Sequence, residues 1–331
     1  MKLLLSILNN LIMSFRNLLY DNKILSIKTL SIPIISVGNI ELGGTGKTPI
    51  VLYLSNLLLK NGFKPGIISR GYKRNSFGRQ IVSNGEKILL NPLVAGDEPF
   101  FLASSLKNVP IVVDKNRVSS SKYMIDNFDV NIIILDDAFQ HRQINRTIDI
   151  VLLNINTPIN QLKPFPLGFL REKITNVFRA DILLITKQNQ FTNAANLKFC
   201  NNLYFHNKFI TISKFLLINP ITNKRLNIKK GINNAFVFCG IGDPDYFKNT
   251  ILSLNINISI FKSYRDHQNY NDSILNEIEK LISNKNIKTI ITTEKDYVKL
   301  PFGFCEKFSI IILRMNFVLN EAFDNLILKM L

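Results

Sequence analysis

The sequence predicts an α/β fold: a mostly parallel sheet flanked by helices, followed by a second, smaller α/β domain. Three observations carry that reading. Apolar, β-branched runs of strand length recur at 32–37, 66–69, 111–114, 131–135, 148–153 and 182–186, separated by segments long enough for the crossover helices that parallel strands require. A glycine-rich stretch, "NIELGGTGKTPI", parts the first run from Ile50-Val51-Leu52-Tyr53-Leu54 and residues 57–59, the buried face of a helix. Past residue 205 the pattern changes, and "FITISKFLLINPITNKRLNI" reads as two strands about Asn219-Pro220, with further strands near Phe236, Ile258, Ile290 and Ile310 and helices between them. The expected organisation is a helix over 1–20, a main domain over 21–200, a β-hairpin linker over 201–230 and a smaller α/β domain over 231–331.

Strand, glycine loop and helix, in that order, make the phosphate-binding loop of a P-loop NTPase-like fold. Gly43, Gly44, Thr45 and Gly46 let backbone N–H groups turn onto phosphate oxygens, Lys47 reaches the outer phosphates, and the Thr48 hydroxyl is suited to Mg²⁺. The loop is irregular in one respect. Where the strict pattern has its leading glycine, five residues before Gly46, this chain has Glu41.

Ligands of open α/β sheets gather beyond the carboxyl ends of the strands, and charged residues fall there. "NIIILDDAFQH" puts Asp136 and Asp137 directly after an apolar strand, the layout of an acid that reaches the loop Mg²⁺. "GDEPFFLA" opens a helix with Asp97 and Glu98, a place where acids also serve as plain helix starts. "SRGYKR" and "GFLRE" supply Arg70, Tyr72, Lys73, Arg171 and Glu172, groups that grip sugar hydroxyls and phosphate. Of the three histidines, His141 follows the acid pair and His267 stands in "YRDHQNY", both in company suited to acid/base work, whereas His206 reads as structural.

Lys and Arg total 41 against 24 Asp and Glu, a net charge of +17 that implies an anionic partner: nucleic acid, phospholipid or a phosphorylated substrate. Cys200, Cys239 and Cys305 show no paired or metal-ligand spacing, which suits a reducing compartment. In the first twenty residues Leu4, Leu8, Leu11, Phe15 and Leu18 recur at helical spacing opposite Ser6, Asn9, Asn10 and Asn17. That is an amphipathic helix of roughly 30 Å. Asn9-Asn10 interrupts the apolar run short of a spanning length, so the helix is expected to lie on a membrane surface, with packing on the domain's own core as the alternative.

Ten stretches, "SVGNIELGGTGKTP", "SRGYKR", "GDEPFFLA", "DKNR", "DDAFQH", "LREK", "RAD", "CGIGDPDYF", "DHQNY" and "TTEKDYVKL", occur in order between residues 36 and 300. Together they resemble the tetraacyldisaccharide 4'-kinase family, the lipid A kinases of Gram-negative bacteria, whose loop shares the "GN...GGTGKTP" shape. The resemblance implies transfer of the ATP γ-phosphate to the 4'-hydroxyl of an acylated glucosamine disaccharide 1-phosphate, by a peripheral enzyme on the cytoplasmic face of the inner membrane. It implies ATP on the loop and Lys47, with Mg²⁺ at Thr48, Glu98 and Asp136. Asp97 becomes the general base, assisted by His267 from the second domain, with Asp137 as the competing base. Arg70, Tyr72, Arg117, Asp137, Gln140, His141, Arg171 and Glu172 become candidates for the acceptor. Ala138, Asn154 and Lys173 depart from the family's usual glycine, aspartate and proline. Two other classes fit the loop and charge: a P-loop enzyme acting on nucleic acid, and a nucleotide-switched membrane-associated chaperone. No RNA-binding aromatic signature or helix-turn-helix pattern accompanies the charge, so no nucleic-acid partner is expected. "TTEKD" is similar to the guanine-reading motif of GTPases but lacks its leading Asn.

Overall fold

The structure is a computed structural model describing residues 1–188, 192–226 and 231–331, and the chain divides into two compact units: residues 1–213 with 317–331, and residues 214–316. In the first unit, helix α1 (Lys2–Asp21) precedes strand β1 (Ile34–Asn39), helix α2 (Lys47–Lys60) and strands β2 (Pro65–Ser69) and β3 (Gln80–Gly85). Helices α3 (Pro92–Ala95) and α4 (Asp97–Ser105), strand β4 (Val109–Val113), helix α5 (Arg117–Asn127) and strands β5 (Ile132–Asp136) and β6 (Ile148–Asn154) follow. Strand β7 (Ile182–Gln188), helix α6 (Ala194–Asn202) and the first half of β8 (Lys208–Asn219) complete this part.

The sheet of this unit runs β8-β7-β6-β1-β5-β2-β4-β3 and is parallel except for β3, which pairs antiparallel with β4. Every strand expected from the apolar runs is present, and β1, β5 and β6 are buried almost throughout, as strands covered on both faces must be. Helices cover the faces, with Leu54 and Leu58 of α2 and Met124 of α5 among the buried residues. The edge strand β3 was not anticipated, since "QIVSNG" is short and half polar, as an exposed edge tolerates. Register matters for function. Val37 of β1 stands beside Asp136 of β5, so the loop leaving β1 and the acids leaving β5 emerge side by side.

The second unit contains the end of β8, strand β9 (Lys224–Arg225), strand β10 (Ile232–Cys239), helix α7 (Pro244–Ser253), strand β11 (Ile256–Ser263) and helix α8 (Asp272–Asn284). Strand β12 (Thr289–Thr293), short helices α9 (Glu294–Tyr297) and α10 (Phe302–Lys307) and most of β13 (Ser309–Val318) follow. Strands β10, β11, β12 and β13 pair in parallel around β10-β12, giving the strands expected near Phe236, Ile258, Ile290 and Ile310. One core, with Phe236, Phe238, Ile278 and Ile290, lies on one side, and another, with Val237, Ile251 and Ile291, on the other, as alternating side chains of a sheet covered on both faces require. The expected hairpin is the antiparallel pairing of Ile218 with Arg225 and Asn219 with Lys224. Its continuation through 227–230 lies outside the described residues.

Two boundaries differ from the sequence reading. The division between units falls inside β8, because Lys208–Ile212 pairs with β7. Residues 317–331 also belong to the first unit, not to the smaller domain. The last helix, α11 (Glu321–Met330), buries Phe323 against Tyr53 of α2 and Phe209 of β8, with ring centroids 6.2 and 5.3 Å apart, and Tyr53 donates its hydroxyl hydrogen to Asp324 at 2.7 Å.

Helix α1 turns its amphipathicity outward. Ser6, Asn17 and Tyr20 are its buried residues, while Leu4, Leu8, Leu11 and Phe15 are exposed. Polar hydrogen bonds hold it down: Ser6 donates to the Pro164 carbonyl at 2.7 Å, Arg16 to the Gln140 carbonyl at 2.7 Å and Asn17 to Glu172 at 3.0 Å. Arg142 clamps the far end through Asp21 at 2.7 Å, and its guanidinium and that of Arg16 both lie over the Tyr20 ring. By length and composition α1 is long and apolar enough to cross a membrane, although only 17% of its apolar window is buried in the protein.

Candidate active site

The parallel strands deliver their carboxyl-terminal residues to one edge, and the loop there turns on Gly46. Its φ of +89° is left-handed, and a Cβ would meet the Phe317 ring at 2.5 Å, so only glycine fits ahead of α2. Thr45 and Thr48 are buried, and Thr186 of β7 donates to the Thr45 carbonyl at 2.8 Å. Free amides at the start of α2 and the cation of Lys47 give this edge its anion-binding character.

Glu41, the residue in place of the strict leading glycine, is only 2% exposed. Its carboxylate accepts the Asn154 N–H at 2.7 Å and the Thr157 hydroxyl. Burial is the largest influence and pushes its pKa up to about 7, against the hydrogen bonds from Thr157 and Asn154 and the charges of Lys187 and Lys47. The backbone on either side pairs with another segment: Arg171 N–H donates to the Ile40 carbonyl at 2.8 Å and Leu42 N–H to the Phe169 carbonyl at 2.7 Å.

Asp136 is fully buried at the end of β5, where Ser69 of β2 donates to its Oδ2 at 2.9 Å. Burial, reinforced by the neighbouring charges of Glu98 and Asp137, raises its pKa to about 6. Among the described residues its Oδ1 has no hydrogen-bond donor. A desolvated carboxylate oxygen without a donor is suited to a hard cation, and the Thr48 hydroxyl and Glu98 carboxylate supply the same oxygen chemistry. Among the described residues no group of three or more His, Cys, Asp or Glu side chains forms a metal cage.

Asp137 behaves in the opposite way. Burial would raise its pKa, but Lys47, Arg171 and Arg117 outweigh burial and hold the carboxyl well below the usual range. Lys47 Nζ is 3.5 Å and Arg171 3.0 Å from its Oδ1. Arg117, buried at the start of α5, donates to the carbonyls of Asp136 and Asp137 at 2.7 and 2.9 Å, which fixes the turn after β5. Gln140 donates to the Asn39 carbonyl at 2.9 Å and accepts from Arg171 at 3.3 Å. His141 is held neutral: burial and the charges of Arg117, Arg146, Arg16 and Arg70 press its pKa down to about 4. Arg70 follows β2, and Tyr72 in the same loop is exposed, with Lys73 over its ring. Asp97 and Glu98 form the first turn of α4.

Glu172 departs from the role of an acceptor ligand. It is 0% exposed and accepts from Arg179 at 2.7 and 3.1 Å, Asn176 at 2.7 Å, Gln140 at 3.0 Å and Asn17 at 3.0 Å. With its accepting capacity used, it ties α1 to the Gln140 turn instead of facing a ligand.

In the second unit the stretches "CGIGDPDYF", "DHQNY" and "TTEKDYVKL" converge on Asp296, the acid of the "TTEKD" stretch. Fully buried, it accepts from the Gly240 N–H at 2.9 Å, Tyr270 at 2.9 Å and Thr293 at 2.6 Å, with Lys299 Nζ at 3.3 Å. This Asp ties the Gly240, Tyr270 and Thr293 segments together. His267 sits in the loop so shaped, with φ +62° and its N–H donating to the Gly240 carbonyl at 3.1 Å. The stretch "TTEKD" is itself the sequence signal, whereas burial of its Asp is a property of the folded chain.

The family model for tetraacyldisaccharide-1-P 4'-kinase, LpxK, matches residues 2–331. A tetraacyldisaccharide 4'-kinase of Desulfotalea psychrophila is 36% identical, covering 96% of this chain and 92% of its own, and one of Pelodictyon phaeoclathratiforme is 33% identical, covering 95% and 90%. The crystal structure of apo-form LpxK from Aquifex aeolicus in complex with ATP superposes with a TM-score of 0.80 at 31% identity, over 99% of this chain and 98% of that one. The chain belongs to the tetraacyldisaccharide-1-P 4'-kinase family.

Proposed function

We propose that this chain transfers the γ-phosphate of ATP to the 4'-hydroxyl of an acylated glucosamine disaccharide 1-phosphate at a membrane surface. The observation that carries the reading is the side-by-side emergence of the glycine loop from β1 and Asp136-Asp137 from β5, with Lys47 beside Asp137. Family membership and the ATP held by the Aquifex aeolicus relative agree with it.

Phosphoryl transfer depends on positioning and charge neutralisation more than on covalent help. Gly43, Gly44, Thr45 and Gly46 present amides to the phosphates, and Lys47 meets their outer oxygens. Thr48, Asp136 and Glu98 would hold Mg²⁺, which when bound neutralises charge on the β- and γ-phosphates. Asp97, beside Glu98 on α4, takes the proton of the attacking hydroxyl, with His267 as its proposed assistant. Arg70, Tyr72, Arg117, Gln140, His141 and Arg171 face the sugar and its phosphate, with Arg171 suited to a bidentate grip and His141, being neutral, to hydrogen bonding. Asp137 orients Lys47 and Arg171, and Glu172 positions Gln140 from behind.

The exposed apolar face of α1, backed by polar contacts to the protein, supports a peripheral helix lying in the bilayer interface and delivering the site to a lipid acceptor. On this reading the enzyme works at the cytoplasmic face of the inner membrane. The test is incubation of purified protein with γ-labelled ATP, Mg²⁺ and either the acylated disaccharide or an oligonucleotide. Label entering the lipid alone is the expected result, and label entering the oligonucleotide would overturn the acceptor class.

A further inference from the structure

We propose that Glu41 is a positioning residue of the nucleotide loop: its buried carboxyl group fastens the start of the loop to the end of β6 and thereby holds Lys47 and Arg171 in register. The inference rests on the nucleotide reading above and adds a residue that the strict loop pattern does not contain.

The connection can be followed atom by atom. One carboxyl oxygen of Glu41 accepts the N–H of Asn154, the last residue of β6, at 2.7 Å, and the other accepts the hydroxyl of Thr157, just past the strand. Residues 40–42 pair with 169–171 through Arg171 N–H to the Ile40 carbonyl at 2.8 Å and Leu42 N–H to the Phe169 carbonyl at 2.7 Å, with Glu41 bridged to Leu170. Arg171 then reaches Asp137 at 3.0 Å, and Asp137 lies 3.5 Å from Lys47 at the far end of the same loop. The loop is thus closed into a ring of contacts, and Glu41 is its only side-chain tie to β6 among the described hydrogen bonds. A glycine at this position has no side chain with which to make that tie.

The tie is also charged or neutral according to one proton. The titratable groups facing Glu41 are Lys187 from β7, Lys47 from α2 and Cys200 from α6, while β6 contributes uncharged partners and the 169–171 segment pairs through its backbone, its Arg171 guanidinium lying against Asp137. Burial leaves this carboxyl titrating near neutrality. A polyphosphate on the loop adds negative charge nearby and engages Lys47, so nucleotide binding raises the carboxyl's proton affinity. A proton is taken up on binding, and by linkage nucleotide affinity falls as pH rises through and above neutrality.

The experiment compares the full chain with Glu41→Gln and Glu41→Ala. Mg-ATP binding is titrated calorimetrically in two buffers of different ionisation heat, and KM and kcat are followed from about pH 6.5 to about pH 8.5. ATP's own titration is common to all variants and cancels in the comparison. The wild type should take up more protons than Glu41→Gln and lose several-fold more affinity across that range, up to the tenfold per pH unit that one proton allows. Glu41→Ala should raise KM for ATP by roughly tenfold at the acidic end, where the wild-type carboxyl is protonated, as loss of a buried hydrogen-bonded group does, with Glu41→Gln restoring it there. Equal proton uptake and equal pH slopes in wild type and Glu41→Gln would overturn the inference, as would an unchanged KM in Glu41→Ala. If Glu41→Ala fails to fold, the proton count of Glu41→Gln decides. A wild type without ATP affinity would instead overturn the nucleotide reading itself.

Discussion

Lys47 Nζ lies 3.5 Å from Asp137 Oδ1, an oxygen that Arg171 also engages at 3.0 Å. The second acid of the β5 turn therefore aims the loop lysine, while the first, Asp136, keeps an oxygen without a donor. Lys47→Ala should lower kcat/KM by about 10²–10³, the scale of a lost charge clamp in a water-poor site. Asp137→Asn, which leaves Lys47 in place but less well aimed, should fall between that and wild type. Steady-state kinetics checks both, and near-normal turnover in Lys47→Ala would remove the loop from the mechanism.

Helix α1 presents Leu8 and Phe15 to the outside and anchors itself through Ser6, Asn17 and Tyr20. Each large apolar side chain buried in an interface contributes roughly 1.5–3 kcal/mol. Leu8→Glu with Phe15→Glu should therefore release the protein from lipid vesicles in a sedimentation assay while ATP binding persists. Retention on vesicles by the double variant would place the lipid contact elsewhere.

The base is proposed to be Asp97 acting with His267. Residues that act as a unit are non-additive, so Asp97→Ala and His267→Ala should each lower kcat and the double variant should be little worse than the poorer single one. Additive losses, or an Asp97→Ala enzyme in which only KM rises, would move the base to Asp137.

Asp136 should be destabilising for the protein without metal. Its folded pKa, about 6, lies above the ordinary carboxylate value of 3.8 because burial and the charges of Glu98 and Asp137 oppose ionisation. The folded state thus binds more protons than the unfolded state between those values, and stability falls as pH rises from about 4 to about 6 and stays reduced above that. Asp136→Asn should raise stability at pH 8 by roughly 1–3 kcal/mol while abolishing Mg²⁺-dependent turnover. Thermal melts against pH check the sign, and a variant less stable than wild type at pH 8 would contradict the account.

Much of this was legible before the structure because periodicity and order are properties of the chain. Strands at 32–37 and 131–135 bounded by the glycine loop and by Asp136-Asp137 already imply adjacent phosphate and metal groups in a parallel sheet. What the sequence could not show depends on long-range burial. Glu172 reads as a ligand beside Arg171 until Arg179, Asn176, Gln140 and Asn17 are found around it. Asp296 reads as a fragment of a base-recognition motif until Gly240 and Tyr270 arrive from distant segments. The apolar stripe of α1 predicts a buried face of some kind, but only the polar docking through Ser6 and Asn17 decides that it points away from the protein. Likewise the return of α11 to the first unit follows from Phe323 finding Tyr53 and Phe209, which no local pattern encodes.

The central claim is transfer to a specific hydroxyl of a lipid, and the most direct measurement is the position of the new phosphate. The acylated disaccharide 1-phosphate would be incubated with the enzyme and Mg-ATP, and the product examined by phosphorus–proton correlation NMR. The account predicts a second phosphomonoester coupled to the proton on carbon 4' of the distal glucosamine, absent with Lys47→Ala. A phosphate coupled to any other sugar proton, or release of the γ-phosphate to water with the lipid unchanged, would contradict it.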